Sequence, residues 1–87
     1  MNGWATRRPD GLLPWPESRN AARNARALRI AAHREQEDVA REAGLTASIL
    51  CAYEKGYRRI PAERAEALAR ALGTTTEALT ADGGVRA

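Results

Sequence analysis

Lys55-Gly56-Tyr57-Arg58-Arg59 places three cations within five residues, and Arg7-Arg8 forms a second basic pair. Guanidinium and ammonium groups at this density suit the neutralisation of an anion, phosphate above all. Catalytic chemistry has far less to work with. His33 is the one histidine and Cys51 the one cysteine, so the sequence can assemble neither a zinc site nor an internal disulfide. No base lies near Cys51 in sequence to activate its thiol, and its small size suits packing at the edge of a core. With no nucleophile–base pair, metal cluster or phosphate loop in the sequence, the expectation is no enzyme, no cofactor and no metal.

These side chains must be positioned by a chain of 87 residues, enough for one small domain and too short for a two-domain enzyme with a cleft. Leu, Ile and Val number 13, Phe is absent and Ala alone supplies 19. So few bulky residues lean toward disorder, but the net charge of +3 is modest. Alanine is the strongest helix former, so the economical expectation is an all-α domain whose helices pack closely on alanine faces. Arg outnumbers Lys 13 to 1, a bias that fits a GC-rich genome as well as a function. The basic balance favours an anionic partner, nucleic acid first and a membrane surface second. A lone cysteine suits a reducing, cytoplasmic setting. No apolar run approaches the ~20 residues of a membrane span. Met1-Asn2-Gly3-Trp4 opens no apolar signal region.

Residues 1–16 hold three of the four prolines and both tryptophans, which predicts an extended N-terminal arm. Leu12-Leu13-Pro14-Trp15-Pro16 is too apolar for a plain linker. It either docks a leucine and Trp15 over the core or binds a partner, and a core this poor favours docking. The domain then runs over 17–81, with 82–87 a frayed tail. A first helix is expected from Glu17 to His33, with Ala21, Ala25, Leu28 and Ala32 inside a stripe of about 60° and Arg19, Arg23 and Arg26 opposite. His33 is expected as a favourable cation at that helix's C-terminus. A short second helix spans Gln36 to Ala43 and is stopped by Gly44, which takes a positive φ without strain. Thr46 caps a third helix running to about Glu54. Pro61 suits the first position of a fourth, which carries Ala65, Leu68, Ala69 and Leu72. Thr75 caps a last short helix bearing Ala78 and Leu79.

Val39-Ala40-x-x-Ala43-Gly44-Leu45 is the informative unit. Two short helices meeting at a tight turn need a small residue where they nearly touch (Ala40), a positive-φ residue in the turn (Gly44) and apolar anchors either side (Val39, Leu45, Leu50). A helix projected this way fits a DNA major groove about 12 Å wide. With Leu28-Arg29, the run Gln36 to Leu45, Tyr53 to Pro61, Leu68 to Gly73 and Leu79, the stretch from Leu28 to Leu79 resembles the phage-repressor-type (lambda-repressor and Cro-like) helix-turn-helix family. The resemblance implies a five-helix fold and a double-stranded DNA-binding transcriptional regulator of repressor type, usually a homodimer, cytoplasmic and associated with the nucleoid.

On the same resemblance, Gln36 falls where a side chain meets a phosphate or a neighbouring reading residue. Thr46 falls at the cap that meets the DNA backbone. Ala47, Ser48 and Ala52 fall at base-reading positions, and Lys55, Arg58 and Arg59 at phosphate contacts. Glu54 matches an acid that ties the third helix to the following loop. The third helix departs from the family in being nearly apolar, with no Arg, Asn or Gln for bidentate base contacts. Arg34-Glu35 replaces the usual apolar residue and Ser/Thr cap ahead of the second helix. Stringent specificity would then fall to the arm, where Arg7 and Arg8 suit an A·T-rich minor groove. The alternative is a protein-interaction module, antitoxin or accessory factor whose Ile49-Ala52-Cys51 surface and arm bind a protein. In the DNA-binding form, a dimer would hold its third helices about 34 Å apart. The interface of that dimer is expected to involve the fourth and fifth helices, around Leu79, which has little core left to cover it.

Overall fold

Small side chains hold helices together only if the helices approach closely, and α-helices dominate the molecule. The computed structural model describes residues 11–82, which form α1 (Trp15–Ala31), α2 (Gln36–Glu42), α3 (Ala47–Glu54), α4 (Ala62–Ala71) and α5 (Thr76–Leu79). Helix α2 packs on α3 and α4, while α1 crosses α3, α4 and α5. The core takes Ala21, Ala22 and Ala25 from α1, Val39 and Ala40 from α2, Leu50 and Tyr53 from α3, and Ala65, Leu68 and Ala69 from α4. Leu13 and Ile60, both in connecting segments, are fully buried with them.

Four helices end the same way, and the ending makes the turns sharp. After α2, the Leu45 N–H donates to the Ala40 carbonyl (2.7 Å) and the Gly44 N–H to Arg41 (3.1 Å), with Gly44 at φ 76°. This pair of bonds satisfies carbonyls that the helix end would leave orphaned. Helices α3 and α4 repeat it around Gly56 and Gly73. Helix α1 repeats it around His33, which sits at φ 56° while Arg34 N–H reaches the Arg29 carbonyl at 3.0 Å. The helix therefore ends at Ala31, two residues short of the expected end, and His33 is its left-handed stop. A residue with a Cβ is strained there by roughly 1–2 kcal/mol. His33→Gly is expected to stabilise the domain by about 1 kcal/mol in urea unfolding, while Gly44→Ala should destabilise it by a similar amount.

The helix starts correct two expectations, both through proline. Helix α1 begins at Trp15 rather than Glu17, because Pro16 falls in the first turn, where no backbone N–H is needed. Pro61 lies one residue outside α4, in extended conformation (ψ 146°), because it bridges antiparallel to Leu12. That bridge docks the segment ahead of α1. The Leu13 N–H donates to the Ile60 carbonyl and the Ala62 N–H to Gly11, both at 2.9 Å. Ser18 completes the staple by accepting the Ile60 N–H on Oγ (2.9 Å). Leu13 is the residue that covers core, while Trp15 stays 41 % exposed.

Helix α5 has four residues, too few to stand alone, and α1 holds it by its carbonyl end. The buried Asn24 amide donates to Leu79 (2.7 Å) and Ala81 (3.2 Å), and Asn20 donates to Thr80 (3.1 Å). Leu79 is fully buried, so it is not the dimer contact expected of it: the α1–α5 packing covers the side chain.

Candidate nucleic-acid interface

A buried carboxylate fixes where α3 sits. The Glu54 side chain is 3 % exposed and receives both Nε of Arg29 (2.9 Å) and its Nη2 (3.0 Å) in a two-pronged ion pair. Gln36 Nε2 donates to the same carboxylate at 3.0 Å. Arg29 lies in the last turn of α1, Gln36 opens α2 and Glu54 closes α3, so one group joins three helices. Glu54 thus ties α3 back to α1 and α2, not to the loop that follows it. The hydrogen bonds that Arg29 donates to Glu54 hold its guanidinium above its ordinary pKa, burial opposing them. Arg29 also donates through Nη1 to the Arg34 carbonyl (3.0 Å). Arg34 in turn donates to the Ala71 carbonyl at the end of α4 (2.9 Å) and pairs with Glu42. The start of α2 has no side-chain cap, in keeping with Glu35 at that position, but Glu37 and Asp38 occupy its first turn.

Thr46 caps α3, its Oγ1 accepting the Ile49 N–H at 3.2 Å. Thr46 and Ser48 are exposed on α3, and Ala47 and Ala52 are half-buried. Ala47 and Cys51 line an open depression with Arg26, Gln36 and Lys55 on its walls. Ile49 is half-buried and packs against the core, and Cys51 and Ala52 beside it are half-buried too. Among the described residues the exposed large apolar side chains are Trp15, Ile30 and Tyr57. Tyr53, by contrast, is wholly core, its hydroxyl accepting from Arg64 Nη1 at 2.7 Å.

Lys55, Tyr57 and Arg58 are exposed on the loop that leaves α3, with Lys55 Nζ 5.9 Å from the centre of the Tyr57 ring. Arg59 turns back instead, its guanidinium 6.0 Å from the centre of the Trp15 ring. The structure thus brings Ala47, Lys55 and Gln36 to one depression along α3, with Thr46 and Ser48 at the start of that helix, Arg58 in the loop beyond its end, and Gln36 engaged at Glu54. Arg7 and Arg8 lie outside the described residues. The sequence reading missed the pairing of Trp15 with the basic loop. Only the contact of Trp15 with Arg19, four residues on and so on the same helix face, is legible in the sequence.

Comparison with known proteins agrees with this architecture. The helix-turn-helix family pattern matches residues 26–79. No curated protein matches the chain. Among solved structures, one titled as the hypothetical transcription factor NHTF from Neisseria is similar, with a TM-score of 0.70 and 28% identity over 80% of this chain and 82% of that one. No helix among the described residues is long and apolar enough to cross a membrane. With the family pattern spanning α2 to α5 and the end of α1, the chain belongs to the Cro/C1-type helix-turn-helix family.

Proposed function

We propose that the protein is a double-stranded DNA-binding transcriptional regulator of repressor type, acting as a cytoplasmic homodimer without catalysis. The observation that carries this reading is a helix-turn-helix whose α3 exposes Thr46 and Ser48 and runs directly into exposed Lys55, Tyr57 and Arg58. The similarity to a structure titled as a transcription factor supports it. Thr46 and Ser48 offer hydroxyls to backbone or base edges, and Ala47 and Ala52 offer methyl groups that suit thymine. Lys55, Arg58 and Arg59 supply phosphate contacts, Gln36 adds one at the start of α2, and Arg7 and Arg8 extend the site into a neighbouring minor groove. With so few polar reading groups, affinity is mostly electrostatic and only partly sequence-specific. Ile49 is half-buried against the core, which supports this reading over a protein-binding module.

The test is the double substitution Arg58→Ala/Arg59→Ala, read by fluorescence anisotropy on several duplexes across a salt series. Losing two phosphate contacts per subunit is expected to flatten the plot of log K against log[salt] by about 1.8 per subunit bound. All sequences should weaken alike, because phosphates carry no base information. An unchanged slope would show that this loop does not face DNA.

A further inference from the structure

Three of the arginines on α1 have a partner. Arg23 donates to the Asp82 carbonyl (2.9 Å), Arg29 is locked to Glu54, and the Arg19 guanidinium lies 6.0 Å from the centre of the Trp15 ring. Arg26 is exposed and makes no hydrogen bond, ion pair or ring contact among the described residues. It lines the open depression beside α3, where Lys55 stands as a second cation engaged by the Tyr57 ring. Glu35 and Glu37 line the depression too, yet neither forms an ion pair with Arg26 or Lys55, so both positive charges stay open. The half-buried thiol of Cys51 lies in the same depression. Arg29 follows Arg26 by three residues, one turn further along the same side of α1. Its ion pair with Glu54 clasps α1 to the end of α3, which keeps Arg26 beside the third helix. Cations on the walls of a concavity focus their field on it, whereas an arginine on a convex face spends its field on bulk water.

We propose that Arg26 is a phosphate contact supplied by α1, and that the duplex backbone lies over the depression that Arg26 shares with Lys55 and Cys51. The proposal rests on the DNA-binding reading above and adds to it a contact from outside the helix-turn-helix. A nearly apolar α3 needs such a contact, since its own hydroxyls and methyls fix the register of the domain on DNA only weakly. Arg26 and Lys55 come from different helices, so they hold one strand at two points and set how α3 meets the groove.

Two readouts on the full chain test it. The first is random-duplex binding across a salt series for the wild type, Arg26→Ala, Arg26→Lys and Arg70→Ala. Arg70 is an exposed arginine near the end of α4 that does not line the depression, a charge-matched control. Arg26→Ala is expected to remove about 0.9 per subunit from the salt slope, over and above what Lys55, Arg58 and Arg59 contribute, and to weaken binding about fivefold at moderate salt. Arg26→Lys keeps the charge and should restore most of the slope. Equal losses in Arg26→Ala and Arg70→Ala would overturn the contact, leaving only bulk charge. The second readout needs no change at Arg26. Cys51 is the single cysteine of the chain, so its alkylation by a small maleimide reports on the depression alone. Saturating duplex at low salt is expected to slow that reaction at least fivefold. In Cys51→Ala/Glu66→Cys the thiol moves to an exposed position on α4 and should react at the same rate with and without duplex. An unchanged Cys51 rate on saturated DNA, or equal protection of both thiols, would overturn the depression as the strand's seat while sparing the DNA-binding reading. No duplex binding by the wild-type chain would sink both the contact and the reading beneath it.

Discussion

Replacing Glu54 with alanine is expected to cost about 3 kcal/mol of stability, the usual consequence of removing one partner from a buried ion pair. For a domain of this size that lowers the melting temperature by about 15 °C. The side chain is 3 % exposed and its two oxygens take Arg29 and Gln36 together. Without it the Arg29 guanidinium, itself only 14 % exposed, loses its bonded counter-charge, and the amide of Gln36 loses its acceptor. Glu54→Gln keeps the volume and one acceptor but still strands the arginine charge, so it should recover less than half of the loss. Arg29→Met/Glu54→Met removes both charges at once and should lose less than the two single changes summed, by at least ~1 kcal/mol. Chemical denaturation of the wild type, Glu54→Ala, Glu54→Gln, the two single Met variants and the double Met variant checks this. A cost below ~0.5 kcal/mol for Glu54→Ala would mean the pair behaves like an exposed one. Because the carboxylate joins the ends of three helices, the same variant should also bind DNA more weakly than its charge alone predicts.

Leu13→Ala should be almost as damaging, at about 3 kcal/mol, although the residue precedes the first helix. Its side chain is fully buried, and truncating a buried leucine leaves a cavity that the surroundings only partly fill. Nearly half of the buried core residues are alanines, too short to relax into that space. Removing residues 1–10 is the control: it spares Leu13 and the Gly11 carbonyl, and should change stability by less than ~0.5 kcal/mol. If Leu13→Ala and the deletion cost the same, Leu13 does not anchor the segment ahead of α1.

The helices that read most clearly from the sequence are those with a chemical start and stop. Thr46 and Thr75 each cap a helix through the hydroxyl, and Gly44, Gly56 and Gly73 each end one in the left-handed region. Positions 39, 40, 65, 68 and 69 carry the helical period and are all buried. His33 was hidden because nothing in a histidine advertises a positive φ; the Schellman bonds around it demand that conformation, and the sequence period does not record them. The start of α1 was hidden by two prolines, which read as helix breakers until the first turn proves to need no N–H from them. Asn20, Asn24 and Ser18 were passed over for another reason. Polar residues on a helix look solvated in one dimension, and only the approach of α5 and Ile60 turns them into donors and acceptors for buried backbone. Glu54 was legible as a structural acid but not in its partners, since Arg29 lies 25 residues away in sequence. Leu79 shows the opposite error: an apolar residue on a short terminal helix looked unpartnered until α1 covered it. Within the candidate interface, the basic loop and the capped α3 were plain in the sequence. The cluster of Trp15 with Arg19 and Arg59 depends on a tertiary contact between distant segments.

Binding of the unaltered full chain to random duplex DNA, followed by fluorescence anisotropy from ~50 mM salt upward, tests the central claim most directly. If Lys55, Arg58, Arg59 and their neighbours face phosphates, binding is readily measured at low salt. With Lys55, Arg58 and Arg59 of each subunit neutralising about six phosphates per dimer, log K should then fall against log[salt] with a slope near −5.4. No detectable binding at ~50 mM salt, where phosphate contacts are strongest, would contradict the account.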